Sequence, residues 1–123
     1  MSRLLWHPNS QQIRLAPLLD CLSEPLRLVI VCHLARAGPG SELQCSAFHM
    51  LSSKSNLAYH FAKLRKAGVV QFRIVGTMRL MQLRRREIDE RFPGLLDAIL
   101  SGAARDNEQK KQLFPPPAED LGC

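Results

Sequence analysis

At 123 residues, 46% of them hydrophobic, the chain suits one compact domain with a real core, which excludes wholesale disorder. No run approaches the ~18 apolar residues of a membrane helix, and MSRLLWHPNS lacks the apolar stretch of a secretory signal, so a cytoplasmic location is expected. The formal charge of +6 is unevenly placed, with nine Lys and Arg and no acidic residue between Glu42 and Glu87, the footprint of a polyanion partner.

Residues 1–14 show no helical periodicity and read as a flexible N-terminal arm. A first helix is predicted over residues 16–22, with Pro17 in its tolerant first turn. Ser23 then offers an N-cap oxygen ahead of Glu24 and Pro25. Residues 26–37 are apolar on nearly every side, the mark of a central buried helix, and Gly38-Pro39-Gly40 ends it. A short helix capped by Ser41 is predicted over residues 41–48.

The segment at 53–67 carries the most information. Ser53 is a natural N-cap, Gly68 a natural stop, and Leu57, Phe61 and Leu64 recur at helical spacing. The opposite face presents Ser55, Tyr59, Ala62, Lys63 and Lys66. A short helix, a turn, then an amphipathic helix with basic and hydrogen-bonding residues outward is a helix-turn-helix pattern.

Residues 69–75 are β-branched and partly alternating, with Val70, Phe72 and Ile74 on one face. Gly76-Thr77 predicts a tight turn, and residues 78–83 return as the partner strand. Arg73 and Arg79 lie near that turn, so the hairpin at 69–83 reads as a basic wing. Arg84-Arg85-Arg86 adds further positive charge. A helix then begins near Glu87, is broken by Pro93-Gly94, and resumes with Leu95, Leu96, Ile99 and Leu100 along one side. Residues 103–123, with Pro115-Pro116-Pro117, read as a disordered tail. The fold class expected is mainly α (α+β), a winged helix-turn-helix of about five helices with a two-stranded β-hairpin wing, occupying residues 15–102.

These residues carry a resemblance. SEPLRLVIV (23–31), SKSNLAYHFAKLRKAGVV (53–70) and GTMRLMQLRRREIDERFPGLLDAIL (76–100) together resemble the ArsR family of bacterial repressors, over roughly residues 15–101. The resemblance implies a homodimer built by the first and last helices, here Leu18, Leu19, Leu95, Leu96, Ile99 and Leu100. It implies repression through an inverted-repeat operator of double-stranded DNA, released by an inducer that the sequence leaves unidentified. The family's base-reading positions fall on Lys54, Ser55, Asn56, Ala58 and Tyr59, and its wing contact on the hairpin bearing Arg73 and Arg79. With Lys63 and Lys66 these form the expected DNA-binding set. Ala58, Tyr59 and Ala62 stand where one branch usually has Ser, His and Lys, which bears on the operator sequence rather than on DNA binding.

Metal-sensing members of the family place Cys-x-Cys at the third helix, because soft thiolates in groups hold soft ions. This chain has the single Cys45 in Gln44-Cys45-Ser46 and no His from Glu87 to Gly102, so ligand spacing supports no metal site and no cofactor is expected. Cys45 is left as the candidate effector or redox residue. Cys21 and Cys32 read as buried small hydrophobes, and all four cysteines are expected as free thiols. No catalytic motif is present, so an enzyme is not expected. The alternatives are a winged-helix module for protein or RNA, a thiol-based redox-sensing repressor through Cys45, and a basic membrane-surface protein. The last is disfavoured because Trp6 is remote from the basic stretch.

Overall fold

The computed structural model describes residues 5–113. Helix α1 spans Leu15–Leu22 and α2 spans Pro25–Arg36. Strand β1 (Glu42–Gln44) leads into a 3-10 segment, Cys45–Leu51, and then α3 (Lys54–Lys66). Strands β2 (Val70–Val75) and β3 (Met78–Leu83) follow, then α4 (Arg85–Arg91) and α5 (Leu95–Leu113). The architecture is a mainly helical winged helix-turn-helix, as the pattern predicts. No helix among the described residues is long and apolar enough to cross a membrane.

The expected helix-two cap is displaced by one residue. Ser23 closes α1, its Oγ donating to the Asp20 carbonyl at 2.7 Å, and Glu24 caps α2 by accepting the Arg27 N–H at 3.0 Å. A carboxylate at a helix N-terminus gains from the macrodipole as well as the hydrogen bond, so Glu24 takes the position.

The helix expected over residues 41–48 is replaced by β1 and the 3-10 segment. Ser41 Oγ donates back to the Ala37 carbonyl at 2.6 Å and caps nothing. β1 pairs antiparallel with the outer edge of β3, Leu43 opposite Met81, giving a three-stranded sheet in the order β1-β3-β2. The third strand satisfies backbone groups that β3 would otherwise leave at an open edge. Leu43, Val70, Phe72, Met81 and Leu83 join one core with Leu18, Ile30, Leu34, Phe48, Leu57, Phe61, Leu64, Ile88 and Leu96.

Helix α3 ends in a glycine the fold requires. Gly68 has φ +82, its N–H reaches the Arg65 carbonyl, and the Val69 N–H reaches the Leu64 carbonyl, both at 3.0 Å. That is the paired bonding of a Schellman stop. A Cβ at Gly68 would also lie 2.5 Å from Ile13 Cγ1.

The N-terminal segment, read as a flexible arm, is tied down across its described part. The Phe72 N–H donates to His7 Nε2 at 3.0 Å. Arg65 and Arg84 each donate to a carbonyl of the segment, Trp6 and Pro8, at 2.6 Å, and Arg91 holds the Ile13 carbonyl. The segment therefore straps the end of α3 to the root of the wing. Leu18 and Leu96, expected at a dimer face, are fully buried inside the protomer. The α5 helix continues beyond Gly102 to Leu113, where a disordered tail was expected; residues 114–123 of that tail lie outside the described residues.

Two outcomes follow from this packing. Gly68→Ala should cost about 2–4 kcal/mol in urea denaturation, from left-handed strain plus the displaced Ile13; a loss under ~0.5 kcal/mol would contradict it. Burial, with Arg65 and Arg84 nearby, holds the His7 pKa below its ordinary 6.5. The strap's contribution is complete above pH 6.5 and is lost as pH falls through the lower folded value. Stability should therefore fall more steeply from pH 7.5 to 5.5 in the wild type than in His7→Gln, and equal slopes would contradict this.

Candidate nucleic-acid interface

Helix α3 is held by its inner face. Leu57, Phe61 and Leu64 are buried, and Phe61 packs against Phe48 and Phe72 with ring centroids 6.1 Å away in each case. Its fourth buried residue is polar. His60, 7% exposed, receives a hydrogen bond from Arg27 Nη1 on α2, at 2.9 Å. A guanidinium can only donate, so Nδ1 is the acceptor. Arg27 Nε donates to the Cys21 carbonyl, in the last turn of α1, at 2.7 Å. One buried guanidinium thus locks α1, α2 and α3 together.

The outer face carries Lys54, Ser55, Asn56, Tyr59, Lys63 and Lys66, all exposed. Ser53 acts as the cap, accepting the Asn56 N–H at 3.2 Å. Asn56 Nδ2 donates to Ser52 Oγ at 2.8 Å, which orients the carboxamide before any partner arrives. Tyr59 is 55% exposed, edge-on to His60, with Lys63 Nζ 5.4 Å from its ring centroid.

The remaining positive charge is arranged differently from its linear order. Arg73 makes a two-pronged ion pair with Glu42 of β1, at 2.7 and 3.0 Å. That hydrogen bonding holds the Glu42 carboxyl below the usual carboxylate range and raises Arg73. Arg84, 7% exposed, pairs with Glu87 at 3.0 Å. Arg85 pairs with Asp89 and Asp97, and Arg86 with Glu90. Acidic residues absent from the linear stretch are thus returned to its arginines by the fold. Lys54, Lys63, Lys66 and Arg79 have no such partner among the described residues.

The wing does not bring Arg73 and Arg79 to one face. Arg79 lies opposite Ile74 in the register, and its guanidinium sits 4.7 Å from the Phe72 ring centroid, on the face that meets α3. Arg73, opposite Leu80, lies on the other face with Glu42. Two neighbouring arginines in a hairpin look alike in sequence, but the period of two separates them.

Cys45 is half-buried, and burial raises its pKa despite nearby Arg79. It is therefore mostly a protonated thiol, not the exposed thiolate that redox chemistry and metal binding use. Cys21 is pushed up to about 11 by burial. Cys21 and Cys45 are free, whereas Cys32, expected as a free thiol, is disulfide-bonded. Among the described residues no group of three or more His, Cys, Asp or Glu could hold a metal ion.

Sequence reasoning missed Leu15, Arg27 and the Glu42 pairing. Leu15 and Leu19 of α1 are 44% and 43% exposed, and Leu95, Ile99 and Leu100 of α5 are half-buried. An earlier helix start would have added Leu15 to the exposed leucines of α1.

No family model and no curated protein matches the chain. Solved structures do. The chain is similar to the transcriptional repressor BigR from Xylella fastidiosa, at 21% identity and TM-score 0.50, over 83% of this chain and 87% of that one. It is similar to an ArsR-like transcriptional regulator from Rhodococcus sp. RHA1, at 22% identity and TM-score 0.53, over 80% of this chain and 91% of that one. Reduced HlyU from Vibrio cholerae N16961 is a third, at 23% identity and TM-score 0.52, covering 82% and 88%. The likeness at these identities is one of fold.

The Arg27 bridge has a measurable consequence. Arg27→Met should cost about 2–4 kcal/mol in urea denaturation, because it orphans the Cys21 carbonyl and His60 Nδ1. Arg27→Met/His60→Leu should cost less than the sum of the two single changes, since both partners are then gone; strictly additive losses would contradict the bridge.

Proposed function

We propose that the chain is a DNA-binding transcriptional regulator of the ArsR-like kind, a repressor that binds an inverted-repeat operator as a homodimer in the cytoplasm. The observation that carries this reading is the outer face of α3. It gathers Lys54, Lys63 and Lys66, without ion-pair partners among the described residues, beside the hydrogen-bonding Ser55, Asn56 and Tyr59, while the Arg84–Arg86 run is neutralised within the fold. Unpaired cations bind phosphates and release counterions, and short polar side chains near a helix N-terminus reach base edges in the major groove. Asn56, turned by Ser52, keeps its carbonyl oxygen free to accept from the amino group of adenine or cytosine.

The dimer follows from the apolar residues left at the surface. Leu15 and Leu19 with Leu95, Ile99 and Leu100 offer aliphatic contact to a second copy, the composition of an obligate interface. Two recognition helices related by a two-fold axis would then read half-sites about one DNA turn apart. The inducer stays unassigned, and no observation favours Cys45 as its receptor.

The test uses full-length protein and duplexes that it selects from a randomised library, followed by fluorescence anisotropy across salt. Lys63→Ala/Lys66→Ala removes four lysines from the bound dimer and should reduce the slope of log K against log salt by about 3.6, while Arg73→Ala leaves it nearly unchanged. Asn56→Ala should cost about 1–3 kcal/mol on selected duplexes and little on unselected ones. Failure to select any sequence, or an Arg73→Ala effect as large as that of the lysine pair, would overturn the reading.

A further inference from the structure

The outer face of the sheet, opposite the core, is the floor of a polar cleft that the outer face of α3 does not use. Glu42, Gln82 and Gln71 lie opposite one another across β1, β3 and β2, so they share that face. Around them open two adjoining hollows of about 500 Å³ each, with Gly40, Gln71, Gln82 and Arg84 common to both. Small-molecule pockets run to roughly 300–1,000 Å³, so each hollow is of ligand size. His7 of the N-terminal segment forms a further wall.

The cleft holds hydrogen-bonding capacity that the fold does not consume. Arg84 is 7% exposed; its Nε donates to Glu87 and its Nη1 to the Pro8 carbonyl. Its Nη2 has no partner among the described residues and is not sealed from solvent. A largely buried guanidinium with donors left over favours an anionic acceptor. Gln71 Nε2 donates to Gln82 Oε1 at 2.7 Å, which leaves the Gln71 oxygen and the Gln82 amino group open. Exchanging the roles of the two amides leaves the same complement, one acceptor beside one donor. Gly40 lays no side chain over them, since a Cβ there would stand 3.9 Å from Gln82 Nε2. Burial first, and then the charges of Arg65 and Arg84, lower the His7 pKa, so the wall beside Arg84 is neutral at pH 7. The lining arginines, Arg73 and Arg84 to Arg86, outnumber the carboxylates Glu42, Glu87 and Asp89.

From this arrangement we infer that the cleft binds a small organic acid, with its carboxylate on Arg84 and an amide-like or lactam edge on the Gln71–Gln82 pair. Arg84 follows Gln82 by two residues, about 7 Å at ~3.3 Å per residue, a span that a single ring bridges. The regulatory part of the inference rests on the DNA-binding reading, under which this cleft receives the inducer. Arg84 holds the Pro8 carbonyl, and Arg65, in the last turn of α3, holds the Trp6 carbonyl. One strap therefore joins the cleft to α3. An anion on Arg84 competes with the Pro8 carbonyl, so it binds better to the protein with a loosened strap, and such unequal binding is what shifts an equilibrium.

The experiment titrates labelled full-length protein with three probes and follows backbone and side-chain resonances. Orotate carries a carboxylate and a lactam edge on one ring, uracil has the edge alone, and benzoate the acid alone. Orotate should move the signals of Gln71, Phe72, Gln82 and Arg84 and bind roughly tenfold more tightly than either of the others. Gln71→Leu/Gln82→Leu, at one exposed and one half-buried position, should melt near the wild type and bind orotate roughly tenfold more weakly. No shifts in the cleft, equal binding of all three probes, or unchanged orotate binding in that variant would overturn the inference. On a duplex selected by the wild type, saturating orotate should weaken binding about fivefold, and an unchanged affinity would overturn the inducer role. If the wild type selects no duplex, the DNA-binding reading falls, while the resonance titration still decides the cleft.

Discussion

A guanidinium enclosed by protein has to be surrounded by acceptors, because it cannot give up its charge. Arg27 meets that requirement with the last-turn carbonyl of α1 and the ring nitrogen of His60 on α3. Both acceptors are set by their positions along helices, so satisfying the guanidinium fixes the rotation of α3 about its own axis. A rotation that carried His60 to the surface would strand the guanidinium and expose Phe61 and Leu64. The outward face follows from the inward one. Ser55, Asn56, Tyr59 and Lys63 look outward because their neighbours are committed to Arg27 and the core.

The second organising feature is the pairing of charge across distance. An acid-free stretch suggests a continuous positive surface, and the fold dissolves most of it. Glu42 is 31 residues from Arg73 but binds it across the sheet. Glu87, Asp89, Glu90 and Asp97 come from the last two helices and meet Arg84, Arg85 and Arg86. These pairs fasten the wing root to its surroundings and, among the described residues, leave the unanswered charge of that stretch on α3 and Arg79. A broad electrostatic footprint becomes a narrow one, on the side where α3 lies.

Helix α3 was legible to the residue because its signals are local. Ser53 and Gly68 mark its ends, and Leu57, Phe61 and Leu64 repeat at helical spacing. The hairpin was legible for the same reason, through alternation and the Gly76-Thr77 turn. Strand β1 was hidden because three residues are too few for a periodic signal, and the partner they need lies in β3, far along the chain. The docking of the N-terminal segment was hidden too, since it depends on arginines distant in sequence. Leu18 and Leu19 show the limit on the candidate site: adjacent leucines point to opposite surroundings, one wholly buried and one 43% exposed. Composition cannot separate them before the packing angle of α1 is known.

The central claim is that nucleic acid meets this protein on the outer face of α3 and the side of the wing continuous with it. Amide chemical-shift mapping by nuclear magnetic resonance, with a selected duplex titrated into labelled full-length protein, tests that most directly. The account predicts the largest shifts over residues 53–66, with a smaller change at Arg79 and little change at Glu42, Arg73 and residues 84–91. Shifts centred instead on the outer sheet face and the Arg84–Arg86 run, with α3 undisturbed, would contradict it.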